Sequence, residues 1–198
     1  MYMNTEKWKE KLRVKHSLTD HDLAELQAIG ELKKFSAGTT IVRFGEVDDR
    51  IFIVTSGVWR EYCFNDGEEA TIWFSVAGEV TFSVWGYVHQ KPSHLFIESV
   101  TDSEALCVSR TCLSRLFETS LSFANLGRRI IEEFALLYEC WHIKMWRQNA
   151  FDRYLNLLEE YPEVVERIPL KYIASYLGVT VQSLSRIRAD VGRVRKNL

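Results

Sequence analysis

Gln182, Ser185 and Arg186 fall three and four residues apart in a stretch whose pattern predicts a helix, so they share one outer face. Gln can make a bidentate contact to adenine and Arg one to guanine, chemistry that suits the major groove of duplex DNA. Lys171, Tyr172, Thr180, Ser183 and Arg188 surround that face. Such residues suit phosphates, which position a protein without specifying a sequence.

Two helices have to hold these side chains. Between Leu170 and Arg188 the apolar positions are Ile173, Leu177, Val179, Leu184 and Ile187, enough for one small core between a pair of helices. Ala174 is small where the helices cross, Gly178 can take the positive φ of a tight turn, and Thr180 suits the N-cap of the second helix. The expectation is a DNA-binding helix-turn-helix whose second helix, 181–189, reads bases. A helical hairpin that only packs is the competing reading, but it would not need Arg186, Arg188, Arg193, Arg195 and Lys196 unopposed.

Charge is distributed accordingly. The net formal charge is −2, yet residues 167–198 hold seven basic side chains against Asp190, a net of +6, and residues 1–166 hold 18 basic and 26 acidic, a net of −8. A basic end on an acidic body fits a polyanion-binding surface or a solubilising tail.

The remaining segments form the body. Residues 17–30 predict a short helix capped by Ser17 or Thr19, with Leu23, Leu26 and Ile29 at helical spacing and Gly30 at its end. Residues 35–110 are short β-branched and aromatic runs divided by turn signals at Gly38, Gly45, Ser56-Gly57, Asn65-Asp66-Gly67, Ala77-Gly78 and Lys91-Pro92-Ser93. Arg50–Thr55 and Val58–Phe64 around Ser56-Gly57 predict a β-hairpin, and the series as a whole predicts a small barrel or jelly roll. From Ser122 to Arg147 the period returns to 3.6, and Leu126, Ile130, Phe134, Leu137, Trp141 and Met145 form an apolar stripe that could pack on the barrel or seam a homodimer. The fold class is therefore α+β, with a barrel and its N-terminal helix over 1–120, a long helix over 121–148 that could dimerise and a helix-turn-helix domain over 149–198.

Other classes find little support. The first residues have no apolar signal region and no apolar run approaches the ~20 residues of a membrane span, so a cytoplasmic protein is expected. Cys63, Cys107, Cys112 and Cys140 lack metal-binding spacing and predict reduced, mostly buried thiols. A cupin-type metal enzyme needs converging His residues, whereas His89 and His94 stand five apart in a predicted loop and His142 lies on the long helix. Neither G-x-S-x-G nor a phosphate-binding loop is present, so no enzyme is expected.

Over nearly its whole length the chain resembles the Crp/Fnr family of bacterial transcription regulators. The resemblance rests on Phe35-Ser-Ala-Gly38-Thr-Thr-Ile41, Gly45-Glu46 and Phe52-Ile-Val-Thr-Ser-Gly57-Val58 in the barrel, and more strongly on the run from Val165 to Thr180. It implies a jelly-roll effector domain, a homodimer, double-stranded DNA as partner, contact with RNA polymerase, and Gln182 and Arg186 at base-reading positions.

Departures from the family pattern concern the effector. Members that bind cyclic AMP use a Gly-Glu-Leu segment for the ribose and a following Arg for the phosphate. Here Ser83 takes the glutamate's place and Ser93 the arginine's; Gly78-Glu79 comes too early and Arg110-Thr111 too late. A buried phosphate without its Arg would be poorly paired, so cyclic AMP is not expected by the usual contacts. The cysteine group of the iron–sulfur branch is missing as well, so no cofactor is expected. An unidentified small effector remains compatible with Phe74, Phe82, Trp85, Tyr87, His94 and Phe96 beside Ser83 and Ser93, although aromatics at strand spacing also serve as core. Residues 159–169 look helical or turn-like, so the family's β-hairpin wing is expected to be reduced or absent. The alternative outside the regulators is an adaptor that binds ligand or dimerises without reading DNA.

Overall fold

A computed structural model describes residues 7–196, with side chains through Arg193; the Arg195 and Lys196 side chains named above lie outside the described residues. Two helices, α1 (Lys7–His16) and α2 (Asp20–Ile29), precede the barrel. The sequence predicted the helix over 17–30 but not α1; the chain turns at Ser17, whose φ is +53°, and α2 begins after Thr19. Thr19 and Asp22 form a reciprocal capping box, so Thr19 rather than Ser17 is the cap. Gly30 is extended instead of left-handed, and it must lack a Cβ because that atom would lie 2.6 Å from Leu106.

Eight strands follow: β1 (Glu31–Phe35), β2 (Thr39–Val42), β3 (Ile51–Ser56), β4 (Val58–Asn65), β5 (Glu68–Val76), β6 (Val80–Thr81), β7 (Phe96–Ser99) and β8 (Ser103–Val108). They form two antiparallel sheets in the orders β1-β8-β3-β6 and β2-β7-β4-β5, packed face to face as a jelly roll. This arrangement corrects the hairpin expected around Ser56-Gly57. β3 and β4 lie in different sheets, so this turn is a corner between layers. Gly57 takes φ +86° there, and a Cβ would come within 2.4 Å of Ser103. The two-residue hairpin is instead β4–β5, where Asp66 (φ +51°) and Gly67 (φ +82°) supply the positive φ pair of a type I′ turn.

Inside the roll, Val42, Phe52, Val54, Trp59 and Ile97 are fully buried, and the Trp59 indole N–H donates to Ser103 Oγ at 2.8 Å. A short helix, α3 (Val84–His89), interrupts the strands between β6 and β7; α4 (Arg110–Thr119) then leads into α5 (Leu121–Arg147), 27 residues long. Leu126 of the expected dimer stripe is only 4% exposed, in a core shared with Trp8, Leu12, Leu23 and Phe82, and Ile130 and Phe134 pack on the same core. Leu137 and Trp141 line a cavity against the barrel, while Met145 faces the following helix. Leu126, Ile130 and Phe134 of the stripe are therefore packed on the barrel, because β6 and α1 offer the nearer apolar surface. A different face of α5, carrying Ile131, Tyr138 and Trp146, stays exposed, with Trp146 at 88%.

The C-terminal part consists of α6 (Ala150–Glu160), α7 (Pro162–Arg167), α8 (Leu170–Leu177) and α9 (Val181–Lys196). Beyond Val108 there is no strand among the described residues, so no wing hairpin stands before α8. Of the four thiols Cys107 alone is buried, and Cys140 is exposed on α5, which departs from the mostly buried set expected.

Candidate nucleic-acid interface and barrel cavity

The α8–α9 pair is built by local chemistry. Gly178 takes φ +65° and ends α8 with its N–H donating to Ser175, while Val179 donates to Ala174 at 3.0 Å. Thr180 Oγ1 then accepts the Ser183 N–H at 3.2 Å and caps α9. Ile173, Ala174, Leu177 and Leu184 are buried between the helices, with Val191 further along α9 and Ile187 and Val179 partly covered. With these turned inward, Gln182, Ser185 and Arg186 emerge together on the exposed side of α9, and Arg188 is exposed one turn on. Neither Arg186 nor Arg188 makes an ion pair among the described residues, whereas Arg193 is held by Asp190 at 3.1 Å. Ser185 Oγ donates to the Val181 carbonyl at 3.0 Å.

Lys171 is exposed, whereas Tyr172 is half-buried with its ring against the barrel. Its ring covers the guanidinium of Arg60 on β4, 3.7 Å from the ring centroid, and Tyr62 lies on the same guanidinium at 4.0 Å. Arg60 is 1% exposed, and donates to Glu98 at 2.7 Å and Glu69 at 2.6 Å. Burial works against its charge, but these carboxylates outweigh burial and hold the guanidinium above its ordinary value. Around this centre α8 is fastened to β5. Ser175 Oγ accepts the Thr71 N–H at 2.9 Å and donates to the Glu69 carbonyl at 2.7 Å. Phe74 packs on Tyr176 at 5.3 Å, and Tyr161 donates to Glu79 at 3.1 Å.

The expected effector residues do not converge. Phe74 belongs to the interface just described. Ser83 Oγ accepts the Gly86 N–H as the cap of α3, and Ser93 Oγ donates to the Leu95 carbonyl, so both hydroxyls serve their own main chain. Trp85 and His94 stack at 4.6 Å, and Phe96 stacks on Tyr62 at 4.9 Å, forming an outer aromatic row. Of the set, Phe82 and Tyr87 reach the space between barrel and α5, where Phe82 meets Tyr87 at 5.4 Å and Phe134 at 5.2 Å.

That space holds two cavities. One of about 280 Å³ is almost wholly apolar, bounded by Leu12, Ile53, Leu113 and Ile130. The other, of about 260 Å³, is bounded by Glu61, Trp73, Phe82, Phe134 and Trp141. Burial pushes the Glu61 carboxyl up to about 6, although the Thr81 hydroxyl donates to it at 2.6 Å. Sequence reasoning missed both Arg60 and Glu61. Their signal was two adjacent charges inside the apolar run Val58-Trp-Arg-Glu-Tyr62, which period-two alternation sends to opposite faces of a strand buried on both. Among the described residues no group of three or more His, Cys, Asp or Glu could hold a metal ion, and no helix is long and apolar enough to cross a membrane.

Residues 32–120 match the cyclic nucleotide-binding domain family. No curated protein matches the chain. Among solved structures the chain is similar to FixK2 from Bradyrhizobium japonicum, with TM-score 0.67 and 20% identity over 83% of this chain and 85% of that one. It is also similar to a putative cAMP-binding regulatory protein from Silicibacter pomeroyi, with TM-score 0.65 and 18% identity over 94% and 88%. A third likeness is to the c-di-GMP responsive global regulator CLP of Xanthomonas campestris, with TM-score 0.63 and 15% identity over 86% and 90%. The barrel is thus of the cyclic nucleotide-binding type. Together with α5 and the C-terminal helices, it shares the fold of these solved structures.

Proposed function

We propose that the chain is a dimeric regulator that reads a palindromic DNA site through α9, with a sensor over 1–120, a dimer helix over 121–148 and a reading domain over 149–198. The observation that carries this reading is the joint exposure of Gln182, Ser185 and Arg186 on a helix whose opposite side is locked to α8. Lys171, Thr180, Ser183 and Arg188 serve phosphates, and Tyr172 leaves that group because the barrel holds it. The dimer seam is assigned to the exposed α5 face of Ile131, Tyr138 and Trp146, since a solvated apolar stripe of this length favours association. Contact with RNA polymerase belongs to the same proposal.

Selection of bound sequences from a random DNA pool tests it. The expected result is an enriched palindrome with half-sites about 10 bp apart, one helical turn. Binding without an enriched palindrome would sink the reading and favour an adaptor. The barrel is read as an effector sensor that does not use the cyclic AMP contacts, because Ser83 and Ser93 are committed to their own backbone.

A further inference from the structure

Cavities of this kind are defined by what their charges lack. In the one bounded by β4, β5, β6, α1 and α5, most ionisable groups are already answered. Lys15 bonds Glu133 at 2.7 Å, and His16 lies 3.6 Å from the same carboxylate. Glu79 accepts the Val76 N–H at 3.0 Å and the Tyr161 hydroxyl at 3.1 Å, with Lys11 at 3.9 Å. Glu61 is different. One of its oxygens takes the Thr81 hydroxyl, and among the described residues no Lys, Arg or His lies within ion-pair distance.

The walls facing that carboxylate are aromatic. Trp73, Phe82, Phe134 and Trp141 all border the space. A β-bulge supplies part of this: Glu61 pairs with Trp73 and Tyr62 with Thr71, so Ile72 is the extra residue, and both Ile72 and Trp73 reach the cavity. A carboxylate at one end of an aromatic box attracts a cation twice, through the charge and through the negative ring faces. An anion meets Glu61, Glu79 and Glu133, and the bases of the lining, Lys15 and His16, already face Glu133.

We infer that this cavity binds a small organic cation with an apolar body, an aromatic or aliphatic amine, whose ammonium group pairs with Glu61 while the aromatic walls enclose the remainder. The inference rests on the reading of the barrel as a sensor and names the ligand class that reading left open. At about 260 Å³ the space lies just below the usual ~300–1,000 Å³ of ligand sites, so the occupant is small. Because its walls come from both the sheet and α5, an occupant ties the barrel to the helix.

Isothermal titration of the full chain with phenethylamine, tryptamine, 3-phenylpropionate and cyclic AMP tests the inference. The expected result is saturable binding of an amine at one site per chain, weakened at least tenfold by Glu61→Gln and by Trp73→Leu, with no binding of 3-phenylpropionate. Failure of both amines to bind overturns it, as does equal binding of 3-phenylpropionate or undiminished amine binding by Glu61→Gln. No DNA is present in the titration. An amine bound by a chain that selects no DNA site therefore upholds the inference while sinking the regulator reading, and a selected palindrome without amine binding does the reverse.

Discussion

The ring of Tyr172 lies 3.7 Å from the guanidinium of Arg60, and this stacking joins α8 to the middle of a barrel strand. Arg60 is buried between two carboxylates, so its charge is needed where it sits. The two residues have unequal roles. Arg60 completes the barrel, and Tyr172 borrows the completed site to dock α8.

Stability should separate those roles. Arg60→Ala leaves Glu98 buried without its partner and is expected to cost about 3–5 kcal/mol by denaturant unfolding. Tyr172→Ala removes a desolvated cation–π contact of about 1–2 kcal/mol, with effects confined to the C-terminal helices. Hydrogen exchange should quicken in α6–α9 for Tyr172→Ala while β3 and β8 remain protected. Equal acceleration in the barrel would refute the docking role.

Base reading and phosphate contact predict different losses. Arg186→Ala should relax one position of the selected site at a cost of roughly 1–3 kcal/mol, whereas Lys171→Ala should weaken all sequences alike and reduce the salt slope by about 1. Equilibrium binding across salt concentrations, on the selected site and its single-base variants, measures both. A uniform loss for Arg186→Ala contradicts its assignment.

The α5 surface allows a test of assembly. Ile131→Glu combined with Tyr138→Glu should shift the chain to monomer in sedimentation equilibrium without lowering its unfolding midpoint, because both side chains are exposed. Leu126→Ala should instead destabilise the fold by about 2–5 kcal/mol through a cavity, since that residue is sealed against the barrel. A dimer that survives the double substitution places the seam elsewhere.

Glu61 gives a pH dependence of defined sign. Its carboxyl is raised in the folded state from 4.5 to about 6, so protonated Glu61 favours folding and ionisation disfavours it. The stability it contributes is complete below about pH 4.5 and is lost as pH rises through about 6. Glu61→Gln, which cannot ionise, should match the parent near pH 4 and exceed it by about 1–2 kcal/mol at pH 8. Parallel stability curves from pH 4 to 8 would show that Glu61 is already well solvated.

Much of the α8–α9 pair was legible before any coordinates. Within 170–188 the glycine turn, the threonine cap and the inward apolar set obey rules that act over one or two helical turns, so Gly178, Thr180, Ile173 and Leu184 stand as expected. Strand positions in the barrel were legible for a similar reason, since alternation and turn residues are local. The Asp66-Gly67 turn shows the same dependence on two consecutive positive φ values.

Partner choice was not local, and there the sequence was silent. Alternation indicates which side chains turn inward but not which sheet receives the strand, so Ser56-Gly57 looked like a hairpin and is a corner. A helical stripe shows that a face is covered but not by what, so Leu126 and its neighbours seemed a dimer seam and are the barrel's own packing. Tyr172 looked like a phosphate contact until a charge more than a hundred residues earlier claimed its ring. What the sequence alone determined is a tight pair of helices with Gln182, Ser185 and Arg186 on one outer face, at the end of an acidic jelly-roll body. Which faces meet, and which carboxylate is left without a counter-charge, only the tertiary structure decided, because those outcomes depend on the burial of groups far apart in the chain.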